Sequence, residues 1–315
     1  MDPPKPPAYY AGAVSAIGTG LYKAGLYCYP AGMDYQLIAF DMDDTLLDAE
    51  RRVSPENRQA LQELVHQGMR IVLCSGRPTP SLLQLARDLF PKAGTDNADE
   101  YIVSFNGAAV VAVASGQELH STPIPVEAGL AILAAAREHG ILLQAYSKDQ
   151  FYTERDDERA RDYSQSVGLP FEVVDDLADI IRAGSLKLLM NAPHEQLVQT
   201  KRHLQELSDR GELHMVFSKP HYLECLHPGV NKATGLEHLC RMLNLDLQQV
   251  IAVGDSHNDL EMLQHAGLGV AVANARDELK AAADMVLESD HTQSIAVELL
   301  RRITGLRTDI SPKLQ

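Results

Sequence analysis

Short apolar runs alternate with helical patterns along most of this chain. The runs QLIAF, RIVLC, YIVSF, VIAVG and LGVAV are rich in Ile and Val and apolar on both faces, as expected for strands buried in a parallel sheet. Between the first two runs, SPENRQALQELVHQG has Ser54 to cap a helix, Pro55 in the first turn and Gly68 at the end. This order predicts an open parallel sheet that is covered by helices.

The middle of the chain has a different pattern. From about Ala108 to Leu226, helical stretches such as VEAGLAILAAAREHG are separated by strand-like runs such as LKLLMN and MVFSK. We predict that this segment is a second α/β unit inserted into the first. The fold class is therefore α/β, with a Rossmann-like doubly wound parallel sheet as the core and an inserted α/β cap domain. The core then comprises residues 33–107 and 227–305, and the cap comprises residues 108–226.

The two ends of the chain are predicted to lie outside these domains. Residues 1–32 are rich in Pro, Gly, Ala and Tyr and carry almost no charge, so we predict a disordered extension, with residues 306–315 as a tail. A secretory signal is the alternative for the first segment, but glycines break its apolar stretch and the bulky Tyr27 precedes Cys28. Met33 is an equally good start, which leaves open whether residues 1–32 belong to the native protein.

The charge of the chain limits its partners. With 315 residues and a formal net charge of −15, an acidic protein of this kind is poorly suited to bind nucleic acid or an anionic membrane surface. No window reaches the roughly 20 apolar residues that a membrane span requires. The 4 cysteines form no CxxC pair, which argues against a disulfide framework or a zinc knuckle. We therefore expect a cytoplasmic protein that binds a small molecule, and its oligomeric state stays open.

Polar residues follow four of the predicted strands. The carboxyl ends of parallel strands form one edge of the sheet, and ligands bind at that edge. The residues in question are Asp41, Met42, Asp43, Asp44 and Thr45; Ser75, Gly76 and Arg77; Asn106 and Gly107; and Gly254, Asp255, Ser256, His257, Asn258 and Asp259. Carboxylates crowded there repel one another unless a cation lies among them, and oxygen ligands suit Mg²⁺. An aspartate can also attack phosphorus while a neighbour moves the proton.

Four segments resemble the motifs of a known enzyme family. In chain order they are DMDDTLLD, CSGRP, GVNKATGL and GDSHNDLEML. Together they resemble the motifs of the haloacid dehalogenase (HAD) superfamily of phosphatases. The segment SFNGA is similar to the turn that leads into the cap of its Cof-type (class IIB) branch, the sugar-phosphate phosphatases. The resemblance runs from about Met33 to Arg302 and implies a large α/β cap inserted after the third core strand.

The resemblance implies roles for three catalytic residues. Asp41 would be the nucleophile, and Asp43 would be the general acid and later the general base. Lys232 would offer a compact positive charge to the phosphoryl oxygens and reduce the repulsion between the phosphate and Asp41.

The same resemblance implies Mg²⁺ as cofactor and a set of binding residues. The metal ligands would be Asp41, the backbone carbonyl of Asp43, and Asp255. The substrate-binding residues would be Ser75, Gly76, Asn106, Lys232 and Asn258. Thr45 and Asp259 would support the site, and Asp259 would either hold a metal-bound water or orient Lys232.

Two positions depart from the commoner pattern of the family. Asp44 stands where many relatives carry glycine, so an extra carboxylate lies at the rim of the site. Ser75 replaces the commoner threonine but keeps the hydroxyl group. The first departure leaves a question about the loop geometry, and the second does not change the chemistry.

Several of these residues also have purely structural explanations. A calcium loop would need glycine where Leu46 stands, and helices on both sides. Arg77 is explained equally well by an ordinary turn and by a role on the substrate side. Asn106 could merely adopt a left-handed turn before Gly107.

Residues of the predicted cap and its edge give weaker signals. His214, His221 and His227 lack the spacing of a metal site and are predicted to be structural or exposed. The acidic stretch ERDDERARDY is typical of a solvated helix face, although Arg159 or Arg161 could reach the far end of a substrate.

These observations together predict an enzyme. We expect a cytoplasmic, Mg²⁺-dependent phosphatase that acts through an aspartyl-phosphate on a sugar phosphate or another small phosphorylated metabolite. Two alternatives stay open: phosphoryl transfer between sugar positions, as in phosphomutase-like relatives, and a catalytically silent regulator that binds a phosphorylated metabolite.

Overall fold

The computed structural model describes residues 35–91 and 100–304. The predicted N-terminal extension (1–32) and C-terminal tail (306–315) lie outside the described residues. The strands are β1 Leu37–Asp41, β2 Arg70–Cys74, β3 Tyr101–Ser104, β4 Ala109–Ala112, β5 Glu118–Ser121, β6 Leu142–Tyr146, β7 Phe151–Thr153, β8 Phe171–Val173, β9 Lys187–Asn191, β10 His214–Lys219, β11 Tyr222–Leu226, β12 Val250–Gly254, β13 Leu268–Ala271 and β14 Met285–Val286. The helices are α1 Pro55–His66, α2 Thr79–Leu89, α3 Val126–Glu138, α4 Glu158–Val167, α5 Leu177–Arg182, α6 His194–His203, α7 Gln205–Asp209, α8 Lys232–Leu243, α9 Leu260–His265, α10 Asp277–Ala282 and α11 Ile295–Thr304.

The first sheet has the order β14-β13-β12-β1-β2-β3-β4-β5. All pairs from β14 to β3 are parallel, and the order runs outward in both directions from β1. Because crossover connections are right-handed, the helices of the two halves cover opposite faces of the sheet. The predicted α/β fold with a doubly wound parallel sheet is confirmed. The strand order reverses between β1 and β12, which is where such sheets bind ligands.

Local sequence explains why the first strand–helix–strand unit forms. All five residues of β1 are buried, so the sheet gains stability from apolar burial on both faces. Ser54 Oγ accepts a hydrogen bond from the backbone N–H of Asn57 at 3.1 Å, and Pro55 opens α1. Gly68 follows the helix with φ +88°, a left-handed conformation that glycine adopts without strain. The predicted start and end of this helix are confirmed.

The second sheet is built from residues between β5 and α8. Its order is β10-β11-β9-β6-β7-β8, and only the β7–β8 pair is parallel. One face packs against α3, α5 and α6 through a cluster that includes Ile132, Ile181 and Leu197. The other face contributes Tyr146 and Leu189 to a cluster that also contains Phe105. The second sheet therefore packs against the turn that follows β3.

The predicted cap starts at residue 108, in a segment that forms the edge of the first sheet. Strands β4 and β5 lie after that boundary, yet they extend the first sheet in antiparallel fashion. Ala109 and Val110 are fully buried there, because β4 continues the first sheet beside β3. The division of the chain into a core and a cap domain remains a proposal, with the second sheet starting at β6.

None of the helices in residues 35–91 and 100–304 combines the length and apolar character needed to cross a bilayer. Cys74, Cys225 and Cys240 are free, buried thiols. Burial raises the pKa of the thiols of Cys74, Cys225 and Cys240, the last to about 11. These thiols therefore stay protonated and contribute to the core as apolar groups.

Candidate active site

The site begins where β1 ends. Asp41 is the last residue of β1 and is only 5% exposed, between the parallel neighbours β2 and β12. Met42–Leu46 then form one irregular turn, closed by a hydrogen bond from Leu47 N–H to the Met42 carbonyl at 2.9 Å. Asp44 lies in this turn with φ +59°. A left-handed position of this kind favours glycine and tolerates aspartate, which accounts for the departure from the commoner glycine.

The residues after β12 bring two more carboxylates to the same edge. Asp259 is fully buried, and its Oδ2 accepts hydrogen bonds from the backbone N–H groups of Asp255 (3.1 Å) and Ser256 (3.0 Å). Gly254 lies against this side chain, because a Cβ on Gly254 would be 2.6 Å from Asp259 Cγ. The glycine therefore leaves room for a carboxylate that is rigidly held by the backbone.

Lys232 is the buried cation of this cluster. It is the first residue of α8, whose N-terminus is closed by a capping box between Asn231 and Thr234. Lys232 is fully buried, and its Nζ donates to Asp41 Oδ1 and, at 2.5 Å, to Asp259 Oδ1. Of the two roles predicted for Asp259, the structure favours the one in which it orients Lys232.

Burial and like charge dominate the electrostatics. Burial raises the pKa of Asp41 well above its ordinary value, the charge of Asp259 raises it further, and Lys232 opposes both effects. Burial alone would lower the pKa of Lys232, but the charges of Asp259 and Asp41 raise it overall. The pKa of Asp255 is raised to about 6, first by burial and then by Asp259. Lys232 therefore remains charged, while the carboxylates need further positive charge to stay ionised together.

Three carboxylates could hold a metal ion. Oxygen atoms of Asp41, Asp255 and Asp259 lie within 4.8 Å of one another, and the Asp255 carboxyl group is fixed by a hydrogen bond from Thr45 Oγ1 at 3.0 Å. Hard oxygen ligands at this spacing fit a divalent cation such as Mg²⁺. Asp41 and Asp255 were predicted as ligands, whereas Asp259 was predicted only as a supporting residue. The predicted ligation by the backbone carbonyl of Asp43 stays a prediction.

Asp43 is paired with a residue whose role the sequence left open. Arg77 Nε and Nη2 donate to the two carboxylate oxygens of Asp43 at 2.8 and 2.5 Å. The Asp43 side chain is half exposed, and that of Arg77 is mostly buried. This bidentate geometry fixes the orientation of the carboxylate. Arg77 therefore has a contact within the site that a simple turn residue would not have.

The predicted phosphate-binding residues lie on neighbouring loops. Asn258 Nδ2 donates to Asn106 Oδ1 at 3.1 Å, and Asn106 N–H donates to the Ser75 carbonyl at 3.0 Å. A Cβ on Gly76 would lie 3.0 Å from Asn106 Nδ2, so glycine lets this loop approach the asparagine. Asn106 also has φ +56°, which confirms the predicted left-handed turn and adds a side-chain contact to it.

A comparison with protein families covers most of the chain and not only the site. A family model for haloacid dehalogenase-like hydrolases matches residues 38–299. The chain belongs to the haloacid dehalogenase-like hydrolase family. The prediction of a phosphatase from the motifs is confirmed by this family together with relatives that are named as phosphatases. The four motifs of this haloacid dehalogenase-like hydrolase all lie within the matched range.

This haloacid dehalogenase-like hydrolase is similar in sequence to named phosphatases and similar in fold to proteins whose structures have been solved. The chain is 29% identical over 246 residues to the HMP-PP phosphatase of Yersinia pseudotuberculosis, covering 78% of this chain and 86% of that relative. A crystal structure of a haloacid dehalogenase-like hydrolase from Bacteroides thetaiotaomicron has a TM-score of 0.77 and 28% identity, covering 85% of this chain and 99% of that one. The HAD subclass IIB sugar phosphatase BT4131 shares the fold, with a TM-score of 0.62 and 21% identity over 80% of this chain and 92% of that one.

Three other residues that the sequence analysis considered, Arg159, Arg161 and His227, make local hydrogen bonds in this haloacid dehalogenase-like hydrolase. Arg159 donates to Asp157 and to the Asn191 carbonyl, and Arg161 pairs with Asp156. His227 Nδ1 accepts from the Gly229 backbone N–H at 3.0 Å. The two arginines thus have local partners, and their suggested contact with substrate finds no support here.

Sequence reasoning missed the pairing of Arg77 with Asp43. The signal was present, because both residues follow neighbouring strands and carry opposite charges. What the sequence could not supply was the direction of the two side chains, since 34 positions separate them.

Proposed function

We propose that this protein is a Mg²⁺-dependent phosphatase of small phosphorylated metabolites that acts through an aspartyl-phosphate on Asp41. The observation that carries the proposal is the buried Lys232, whose Nζ bonds both Asp41 and Asp259 at the strand edge. A buried lysine offsets only part of the negative charge of these carboxylates, so a divalent metal can bind beside them while the lysine faces a phosphate. Sugar phosphates are the proposed substrate class.

In the first step a carboxylate oxygen of Asp41 attacks phosphorus. The bond between phosphorus and the leaving oxygen breaks, and Asp43 gives its proton to that oxygen. Asp43 enters this step in its protonated form, with the proton on the oxygen that faces the leaving group, and Arg77 orients the carboxyl group by a hydrogen bond to the other oxygen. Ser75 and Asn258 donate hydrogen bonds to the phosphoryl oxygens, and Lys232 supplies positive charge to them.

In the second step water hydrolyses the aspartyl-phosphate. Asp43, now ionised, takes a proton from the water as it attacks phosphorus, which releases inorganic phosphate and restores Asp41. A divalent cation held by Asp41, Asp255 and the Asp43 carbonyl would supply charge that keeps the nucleophile ionised. Asp259 keeps Lys232 in place during both steps.

The test uses the full chain with a panel of phosphate esters. The panel contains sugar phosphates, nucleotides, pyridoxal phosphate and flavin mononucleotide, and it includes HMP-PP because one relative is named for that compound. Phosphate release is measured with Mg²⁺ and with EDTA for the wild type, for Asp41→Asn and for Asp44→Asn. Asp44 is the matched control because it is an exposed aspartate of the same turn.

We expect wild type and Asp44→Asn to release phosphate only with Mg²⁺, and Asp41→Asn to fall to background while its urea unfolding midpoint changes little. Asp43→Asn incubated with an aryl phosphate should carry phosphate on the protein after an acid quench, because the second step is slowed. Release by Asp41→Asn at the wild-type rate would exclude the mechanism. Isomerised sugar phosphate without free phosphate would favour a mutase, and metal-dependent binding without turnover would favour a regulator.

A further inference from the structure

Two helix ends on the second sheet carry metal-ligating side chains. Helix α3 ends at Glu138, with His139 as its C-cap residue, and helix α6 ends at His203. One potential ligand atom from each of the three side chains lies within 4.8 Å of the others. Glu138 and His203 are exposed and His139 is partly buried. A metal ion could therefore reach all three from solvent.

The two imidazole rings are placed relative to each other much as two imidazoles that bind the same metal ion would be. The ring centroids of His139 and His203 are 5.5 Å apart, and the ring planes are inclined at 74°. With Zn–N bonds of about 2 Å and tetrahedral angles, two imidazoles on one zinc ion have centroids about 5 Å apart. The observed spacing requires only a small movement of the exposed His203 ring.

A hydrogen-bond chain selects the tautomer of His139 that can ligate. Thr200 Oγ1 donates to the Gln196 carbonyl at 3.0 Å and lies 2.6 Å from His139 Nδ1. A hydroxyl group has one proton, so Thr200 accepts from an Nδ1–H of His139. The Nε2 lone pair is then available. A threonine that fixes the tautomer of a ligand histidine is the kind of outer contact that metal sites use.

The surroundings favour a cation at this place. The carboxyl ends of two helices meet here, and each carries partial negative charge on its last carbonyl groups. Arg137 pairs with Glu154 and Asp176, and Lys201 lies over the Phe217 ring. Two further cations lie close in the chain: Arg155 donates to the Gly140 carbonyl at 3.2 Å, and the exposed Arg202 precedes His203. Gln196 Nε2 donates to the His139 carbonyl and so connects α6 to the end of α3.

We propose that Glu138, His139 and His203 bind a divalent transition metal ion of the Zn²⁺ class, with water in the remaining position. Two nitrogen ligands and one carboxylate select such an ion over Mg²⁺, which prefers oxygen. This site is separate from the carboxylate cluster of the active site and does not rest on the proposed function. It joins the ends of α3 and α6, which cover the same face of the second sheet.

The experiment is a calorimetric titration of the metal-stripped full chain with Zn²⁺ in saturating Mg²⁺, so that the oxygen site is already filled. Wild type is compared with His203→Ala, Thr200→Val and His66→Ala. His203 is exposed, so its replacement leaves the fold intact. His66 is the matched control, because it is also an exposed histidine at the last position of a helix.

We expect one equivalent of Zn²⁺ on wild type and on His66→Ala. His203→Ala should weaken binding at least about a hundredfold, and Thr200→Val should weaken it about tenfold to a hundredfold, because the tautomer is no longer selected. A thermal shift by Zn²⁺ should disappear in His203→Ala. The proposal is overturned if wild type takes up no Zn²⁺ in the presence of Mg²⁺, or if His203→Ala binds it as tightly as wild type.

Discussion

At the scale of residues, the site depends on opposed effects acting on the same few groups. Burial and the charge of Asp259 raise the pKa of Asp41, yet a nucleophilic carboxylate must be ionised. Lys232 acts against that rise through its contact with Asp41 Oδ1. A divalent cation would lower the pKa of Asp41 further and so keep it ionised. Metal binding and proton binding therefore compete for the same carboxylates.

The raised pKa of Asp255 predicts that metal affinity depends on pH. Without metal, burial and then Asp259 raise this pKa to about 6, so at lower pH a cation must displace a proton. We expect the apparent Mg²⁺ affinity to fall as pH is lowered from about 8 to about 5.5, approaching tenfold per pH unit at the acid end. Calorimetric titrations with Mg²⁺ at several pH values measure this. Asp255→Asn should bind more weakly and with a shallower pH dependence, and a constant wild-type affinity would contradict the prediction.

The contact between Arg77 and Asp43 predicts a defect that depends on the leaving group. Arg77→Ala removes the two hydrogen bonds that fix the direction of the Asp43 carboxyl group, so its proton is less well placed for a poor leaving group, which needs that proton most. We expect kcat for alkyl phosphates to fall about tenfold to a hundredfold, with a smaller loss for activated aryl phosphates and little change in KM.

Rates for the two substrate classes in Arg77→Ala and Arg77→Lys provide the measurement. Lys restores charge but not the planar fork, so it should rescue only partly. An equal loss on both classes would indicate that Arg77 supports the fold of the loop and not the proton transfer.

At the scale of elements, the position of α8 determines where Lys232 lies. Its N-terminus rests on the turn after β3, because a Cβ on Gly107 would be 2.0 Å from the Asn231 carbonyl oxygen. Within α8, a Cβ on Gly235 would be 2.6 Å from Val103 Cγ1 and 2.8 Å from Gly107 Cα. Two glycines at one crossing thus let the helix approach the sheet closely enough to bury its first lysine.

Gly235→Ala tests this close approach. In an open helix the change would stabilise by roughly 1 kcal/mol, but here the added methyl group meets the backbone of Gly107. We expect a loss of about 1–3 kcal/mol in the free energy of unfolding, together with lower kcat because Lys232 moves. Urea unfolding and phosphate release are the two measurements. Gly229→Ala is the control, since its Cβ would make an ordinary 3.5 Å contact with His227; a neutral Gly235→Ala would contradict the packing argument.

At the scale of the whole molecule, the two sheets meet at the turn that follows β3. Phe105 is fully buried and contacts Tyr146 of β6 edge to face, with ring centroids 5.8 Å apart. Lys187 of β9 lies 5.7 Å from the centroid of the same ring. Phe105 immediately precedes Asn106, so the contact between the sheets and the phosphate side of the site share one segment.

Phe105→Ala should therefore affect both stability and function. Removing a buried phenyl ring costs about 3–5 kcal/mol in the free energy of unfolding, whereas Phe105→Leu should cost clearly less because most of the volume remains. We expect Phe105→Ala also to raise KM, since Asn106 loses its support. Urea unfolding and steady-state kinetics on both variants measure this, and equal stability of the two would mean that the ring is not packed as described.

The sequence by itself determined the parts that depend on a few neighbouring positions. Buried strands, the cap of α1, the left-handed turn at Asn106 and the set of polar residues at the strand ends could all be predicted, because local burial patterns and backbone preferences encode them. The family resemblance placed Lys232 near Asp41, but only the tertiary structure showed that its Nζ bonds both Asp41 and Asp259. The pairing of Arg77 with Asp43 across 34 positions was also decided only there. The tertiary structure also assigned β4 and β5 to the first sheet. Such pairings follow from packing between segments that are far apart in the chain, and the local sequence pattern of either segment does not encode that packing.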